Sequence, residues 1–177
     1  MLSFPAWYFD ESKMAGVDFF DAAQVEVYDR NQTFSTPEKE QALVTRFGIC
    51  REHCVIDLGA GTGNFAIQGA LTGACVHAVD ISKSMLTYAQ SKAQKAGATT
   101  IELHQAGFLS YEHQDRQADF VVTKNALHIL PDFWKMTAFV RIAAMLNLNG
   151  VFPDFSQVRN PGLAEFLLKS VILLAFS

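Results

Sequence analysis

The chain has 177 residues, half of them apolar and 12% aromatic, which suits one domain with a real buried core and leaves too little length for two. A formal net charge of −4 argues against broad electrostatic binding to nucleic acid or to anionic membranes, so neither is an expected partner. Three cysteines form no CxxC pair, and no second ligand cluster follows Cys50, His53 and Cys54; reduced thiols and no bound metal are expected.

Met1 to Lys13 carries Asp10 and Glu11 and lacks a basic start followed by a long apolar stretch, so it does not read as a secretory signal. The longest purely apolar run, Val171 to Phe176, is far short of the roughly 20 residues needed to span a bilayer. A cytoplasmic location is the expectation. Val17 to Gln32 places Phe20, Ala23 and Val27 at helical spacing. Ser35-Thr36-Pro37-Glu38 then reads as a helix start, with a capping hydroxyl and a proline in the first turn. That second helix is predicted to run through Ala42, Leu43 and Phe47 towards Gly48. Residues 1–48 are thus expected to form a helical segment that caps a site on the domain of residues 49–177.

From there strands and helices alternate. Cys54 to Leu58 is a short apolar strand, Asn64 to Leu71 a helix, and Ala74 to Val79 a second strand. Ser82 caps a helix whose inner face is Met85, Leu86, Ala89 and Ala93, stopped by Gly97. Thr99 to His104 and Ala118 to Thr123 are predicted as the third and fourth strands. Pro131 to Leu146 is a helix, with Asn149-Gly150 as the turn before a fifth strand near Val151. Strands separated by helices of this length indicate βαβ units and a Rossmann-like α/β fold: a doubly wound, mostly parallel sheet of about five or six strands. Ligands of such sheets bind beyond the carboxyl ends of the strands.

The first strand ends in Asp57-Leu58-Gly59-Ala60-Gly61-Thr62-Gly63-Asn64. Glycines let this backbone turn tightly and approach a ligand, and the following helix offers its free N–H groups to an anion. Asp80 ends the second strand, 17 residues beyond Gly63, where a carboxylate can accept hydrogen bonds from the two hydroxyls of a ribose. Dinucleotide sites favour G-x-G-x-x-G, which seats a pyrophosphate. The spacing here is G-x-G-x-G, with Asp57 two residues ahead of the first glycine. A carboxylate so placed repels a pyrophosphate and suits a ligand bearing an ammonium, as S-adenosylmethionine (SAM) does. An NAD-dependent oxidoreductase would share the strand–turn–helix unit and Asp80, but the glycine spacing and Asp57 speak against it.

With these motifs the chain resembles the class I SAM-dependent methyltransferases, more narrowly their small bacterial members, from about Tyr28 to Gly150. Val55 to Gly63 is similar to the family's first motif, and Val79-Asp80-Ile81-Ser82 followed by Met85-Leu86 to its second. Ala118 to Val122, Ala126 to Asp132 and Met145 to Val151 resemble the fourth strand, the loop after it and the approach to the fifth. The resemblance implies that Gly59, Ala60, Gly61 and Gly63 lie against the methionine part of SAM, with Asp57 holding its amino group. It implies that Asp80 binds the ribose, Ile81 packs on the adenine and Asn125 lies near the amino-acid end. The family often places an aspartate after the third strand to bind the adenine amino group. Gly107-Phe108 stands there in this chain, so backbone groups and the Phe108 ring are expected to serve instead.

The implied function is methyl transfer from SAM to a small-molecule acceptor, with a protein side chain as the second choice of acceptor. His128 and Tyr28 are the candidates for a catalytic base or positioning group. His53, His77, His104 and His113 read as packing or surface groups. Two further strands usually follow the fifth in the family, whereas 27 residues follow Gly150 here and Pro153 interrupts the expected strand. The chain therefore reads as shortened at its carboxyl end. Val171 to Phe176 is expected to cover the open edge, within the chain or across a homodimer. The alternative function is a non-catalytic SAM-binding or interaction domain left by loss of the terminal strands.

Overall fold

The computed structural model describes residues 8–13 and 21–153. After a short 3-10 turn at Glu11–Lys13 come two helices, α1 (Ala22–Asn31) and α2 (Pro37–Arg46). The alternating part follows as β1 (Cys54–Leu58), α3 (Asn64–Leu71), β2 (Cys75–Asp80), α4 (Lys83–Ala96), β3 (Ile101–Gln105), β4 (Ala118–Thr123), α5 (Asp132–Met145) and β5 (Leu146–Val151). The five strands lie in the order β3-β2-β1-β4-β5, and every pairing is parallel.

Burial explains why these segments become strands. β1 is buried at all five positions, and β4 at five of six, because helices or loops cover both faces of a parallel sheet. One face packs Val55, Val76, Ala78 and Val122 against α2, α3 and α4. The other packs Ile56, Leu58 and Val121 against α5 and against the connection from β3 to β4, through Leu109 and Tyr111. That connection carries no helix.

The predicted helix signals act as expected. The Thr36 and Ser82 hydroxyls accept the N–H groups of Lys39 and Met85, at 3.5 and 3.2 Å, and Gly97 ends α4 at φ +75°. Asp21 caps α1 by accepting from the Ala23 N–H at 2.9 Å. The helix turns Val25 inward and leaves Val27 44% exposed. Asn149-Gly150 is not a turn: β5 starts directly after α5 and runs through both residues. Ala118 pairs with Leu146 and Phe120 with Val151, so the extra residues of β5 form a bulge. Asn147 stabilises it, accepting from the Asn149 N–H at 3.0 Å and donating to Asp119 at 2.6 Å. β5 ends two residues before Pro153, at the edge of the described sheet. Val171 to Phe176, the segment expected to cover the open edge, lies outside the described residues.

β1 leads to β2 and β3 on one side and neighbours β4 and β5 on the other. The strand order therefore reverses between β1 and β4, and a crevice opens at their carboxyl ends.

Candidate active site

At that crevice the turns after β1, β3 and β4, and the end of β2, enclose a cavity of about 320 Å³. Its wall includes Gly59, Gly61, Asp80, Ile81, Gly107 and Phe108 on one part. Tyr28, Lys124, Asn125 and His128 complete it. A narrow extension of about 50 Å³ continues past Gly59 and Gly61 to Asp57, Ala60 and Asn64.

The glycine turn is fixed from beneath by the end of β2. Gly59 and Ala60 donate their N–H groups to the Val79 carbonyl at 2.8 and 3.0 Å. Gly61 donates to one Asp80 carboxylate oxygen at 2.8 Å, and Ser82 to the other at 2.8 Å. Each oxygen retains a lone pair for a further donor, since an ionised carboxylate has about four acceptor sites. Burial raises the Asp80 pKa, and the two N–H groups pull it back down.

Gly59 lies at φ +76°, and a Cβ there would stand 2.3 Å from the Ala126 methyl, so the turn needs glycine for its conformation and for its neighbour. Asn125 takes φ +53°, an uncommon conformation for a residue with a side chain, just where β4 gives way to the cavity wall. Gly63 lies outside the cavity wall. Its missing side chain makes room for Ala89 of α4, whose Cβ would be 3.0 Å away.

Asp57 is 2% exposed at the end of the narrow extension. Desolvation pushes its carboxyl up to about 7; Lys124 opposes the rise, while Glu40 and Asp80 add to it. The Lys124 ammonium donates to buried Glu40, which also accepts from the Ser35 hydroxyl at 2.6 Å. Neither Lys124 nor Glu40 carries a sequence signal, because only the fold brings α2 beside the end of β4.

Two parts of the amino-terminal segment reach the cavity. Tyr28 of α1 stands at its rim, with its phenol pKa raised by desolvation and by the charges of Asp80 and Asp29. Asp29 ties this helix down by accepting from the Thr62 hydroxyl at 2.5 Å and from Lys92 at 2.7 Å. Glu11 arrives from the other side. Its carboxylate accepts from the Leu109 N–H at 3.1 Å and the Ser110 hydroxyl at 2.7 Å. A Cβ built on Gly107 would fall 2.4 Å from that carboxylate. The absent side chain at 107 thus leaves room for an acid from a distant element. Sequence reasoning missed Glu11 because 96 residues separate it from Gly107.

The remaining sequence candidates divide. His128, in the 3-10 turn Leu127–Ile129, is exposed and lines the same cavity as Tyr28. His53 instead accepts the Cys50 N–H at 3.1 Å and packs on Phe120, a structural role.

The methyltransferase domain family matches residues 55–150 of this chain. The uncharacterized methyltransferase YcgJ of Bacillus subtilis is 30% identical over 146 residues, covering 80% of this chain and 56% of that protein. A second uncharacterized methyltransferase, from Bacillus mycoides, is 33% identical over 102 residues, or 56% of this chain and 46% of its own length. The chain thus spans about half the length of these curated relatives. The crystal structure of YcgJ aligns with a TM-score of 0.57 at 28% identity, over 65% of this chain and 49% of that one. Phosphoethanolamine N-methyltransferase 2 of Haemonchus contortus, solved with SAM, aligns with a TM-score of 0.74 over 95% of this chain and 45% of that one. At 20% identity this likeness concerns the fold alone.

Proposed function

Because this chain belongs to the methyltransferase domain family, we propose that it binds SAM in the switch-point cavity and transfers the methyl group to a small-molecule acceptor. One observation carries the reading: the carboxylates of Asp57 and Asp80 flank a glycine turn at the carboxyl ends of β1 and β2. Acceptor-rich walls fit a ligand with an ammonium, two ribose hydroxyls and an exocyclic amine, and they repel a pyrophosphate. The main chamber falls at the lower end of the roughly 300–1,000 Å³ usual for ligand sites, with the extension to Asp57 adding to it.

Asp80 offers its remaining lone pairs to the ribose hydroxyls, and its bonds to Gly61 and Ser82 hold it in place. Asp57 holds the amino group of the methionine part, with Gly59, Ala60 and Gly61 against the same part and Asn125 beside it. Gly63 contributes indirectly by seating α3 on α4. Ile81 and Phe108 flank the adenine. Glu11 supplies the acceptor for the adenine amino group that no side chain at Gly107 can provide. The amino-terminal segment caps the site through Glu11 and Tyr28, which limits the access of water.

The cofactor supplies a methyl group already activated by its sulfonium, so this chain contributes mainly position and desolvation. Where an acceptor must lose a proton early, His128 takes it. Tyr28 serves as a positioning group, since a phenol with a raised pKa is a poor base near neutrality. The test is S-adenosylhomocysteine (SAH) release from SAM with a panel of small amines, phenols, thiols and carboxylates. Turnover should appear with one class, and His128→Ala should lower it without weakening SAH binding. Tight SAM binding with no turnover on any class, or on an added protein acceptor, would favour a binding domain instead.

A further inference from the structure

On the α5 side of the sheet, edge strand β3 and its neighbour β2 carry a second group of reactive side chains, none of which lines the cofactor cavity. His77 and Glu102 are register partners on β2 and β3, so their side chains share a face, and His104 joins them two residues along β3. The helix-free connection from β3 to β4 brings Tyr111, His113 and Asp115 over them.

We propose that His77, Glu102 and His104 form a binding site for a divalent transition-metal ion, with zinc the best match. His77 Nδ1 lies 3.1 Å from His104 Nε2. Glu102 Oε2 lies 3.8 Å from the first nitrogen and 3.9 Å from the second. One point about 2.1 Å from all three atoms exists in that triangle, which matches zinc's bond lengths to imidazole nitrogen and carboxylate oxygen. That point lies in the plane of the three atoms; small side-chain shifts that draw them together lift the ion out of the plane and leave a fourth, tetrahedral position for water. Partial exposure of His104 and Glu102 gives solvent access to it.

The surroundings choose this set of ligands. His77 is fully buried, and its other nitrogen has the Cys75 sulfur 3.6 Å away as an acceptor for its N–H, with an Asp115 carboxylate oxygen also 3.6 Å off, beyond hydrogen-bonding distance. Such an outer partner fixes the tautomer that leaves Nδ1 free to ligate. Cys54, His77 and His113 form a rival cluster. There, His113 is already committed, with one nitrogen 3.0 Å from the Tyr111 hydroxyl and the other 2.9 Å from the Arg116 carbonyl. A metal ion here departs from the expectation of no bound metal and from the reading of His77 and His104 as packing or surface groups. The ligands proposed here become neighbours only through strand register.

An ion at this point would tie edge strand β3 to β2 just before the chain enters the cavity wall at Ala106. The test uses untagged, chelator-treated full-length protein titrated with zinc chloride, with cobalt(II) as the spectroscopic probe. We expect one ion per chain, a rise in Tm on zinc addition, and cobalt d–d bands without a thiolate charge-transfer band. His104→Ala should abolish saturable binding. Glu102→Gln, on an exposed side chain, should weaken it at least about tenfold while leaving the metal-free Tm unchanged. Cys54→Ser should bind as tightly as the unaltered protein. No saturable binding, a thiolate charge-transfer band, or undiminished affinity in Glu102→Gln would overturn the site.

Discussion

Asp80 performs two tasks with one carboxylate. It joins the glycine turn to the first turn before α4, and it presents its remaining lone pairs to the cavity. Asp80→Ala leaves the Gly61 and Ser82 N–H groups without their acceptor and removes the proposed ribose partner. Each hydrogen bond to a charged group is worth about 1.5–3 kcal/mol. SAH affinity measured by calorimetry should therefore fall about a hundredfold, and Asp80→Asn should lose less because its amide oxygen still accepts. Equal affinity in Asp80→Ala would place the nucleoside elsewhere. Glu11 makes the parallel case for the adenine. Glu11→Gln keeps one acceptor oxygen but loses the charge, so SAH binding should weaken about tenfold, within the worth of one charge-assisted hydrogen bond. Unchanged affinity would leave Glu11 as a brace for Leu109 and Ser110 alone.

Among the elements, the turn after β1 and the turn after β4 depend on each other through Gly59 and Ala126. Gly59→Ala combines a φ that costs about 1–2 kcal/mol for a side chain with a 2.3 Å clash, and overpacking costs typically 1–3 kcal/mol more. Gly97→Ala shares the positive φ but meets nothing within 4 Å. Thermal unfolding should show Gly59→Ala losing roughly twice the Tm of Gly97→Ala, and only Gly59→Ala should lose SAH binding. Equal losses would show that Ala126 yields freely. These elements also mark the limit of what is legible in a sequence. The β1 turn, Asp80 and the Ser82 cap are written in neighbouring residues, so they can be read directly. Glu11 over Gly107, the Lys124–Glu40 pair and the His77–His104 contact each join distant segments, and no local pattern encodes them. The β5 bulge was hidden for another reason: Asn149-Gly150 has the composition of a turn, and only the Asn147 contacts make it part of a strand.

Across the whole molecule, the reversal of strand order opens the crevice, and burial of Asp57 at its end costs stability in the absence of ligand. The folded state holds that carboxyl near 7, against an ordinary value of 3.8. Between those values the folded chain binds more protons than the unfolded one, so this group makes stability fall as pH rises through the window. Asp57→Asn should flatten that slope and raise the ligand-free Tm at pH 8, while weakening SAH binding, and thermal unfolding across pH checks both signs. A lower Tm at pH 8 in Asp57→Asn would contradict a costly buried charge. The central claim is that the crevice takes SAM and not a dinucleotide. Calorimetric titration of the full-length protein with SAH, and separately with NAD, tests it most directly. The prediction is saturable binding of one SAH per chain, weakened by Asp57→Asn and by Asp80→Ala, with no heat from NAD; saturable NAD binding in the absence of any for SAH would contradict it.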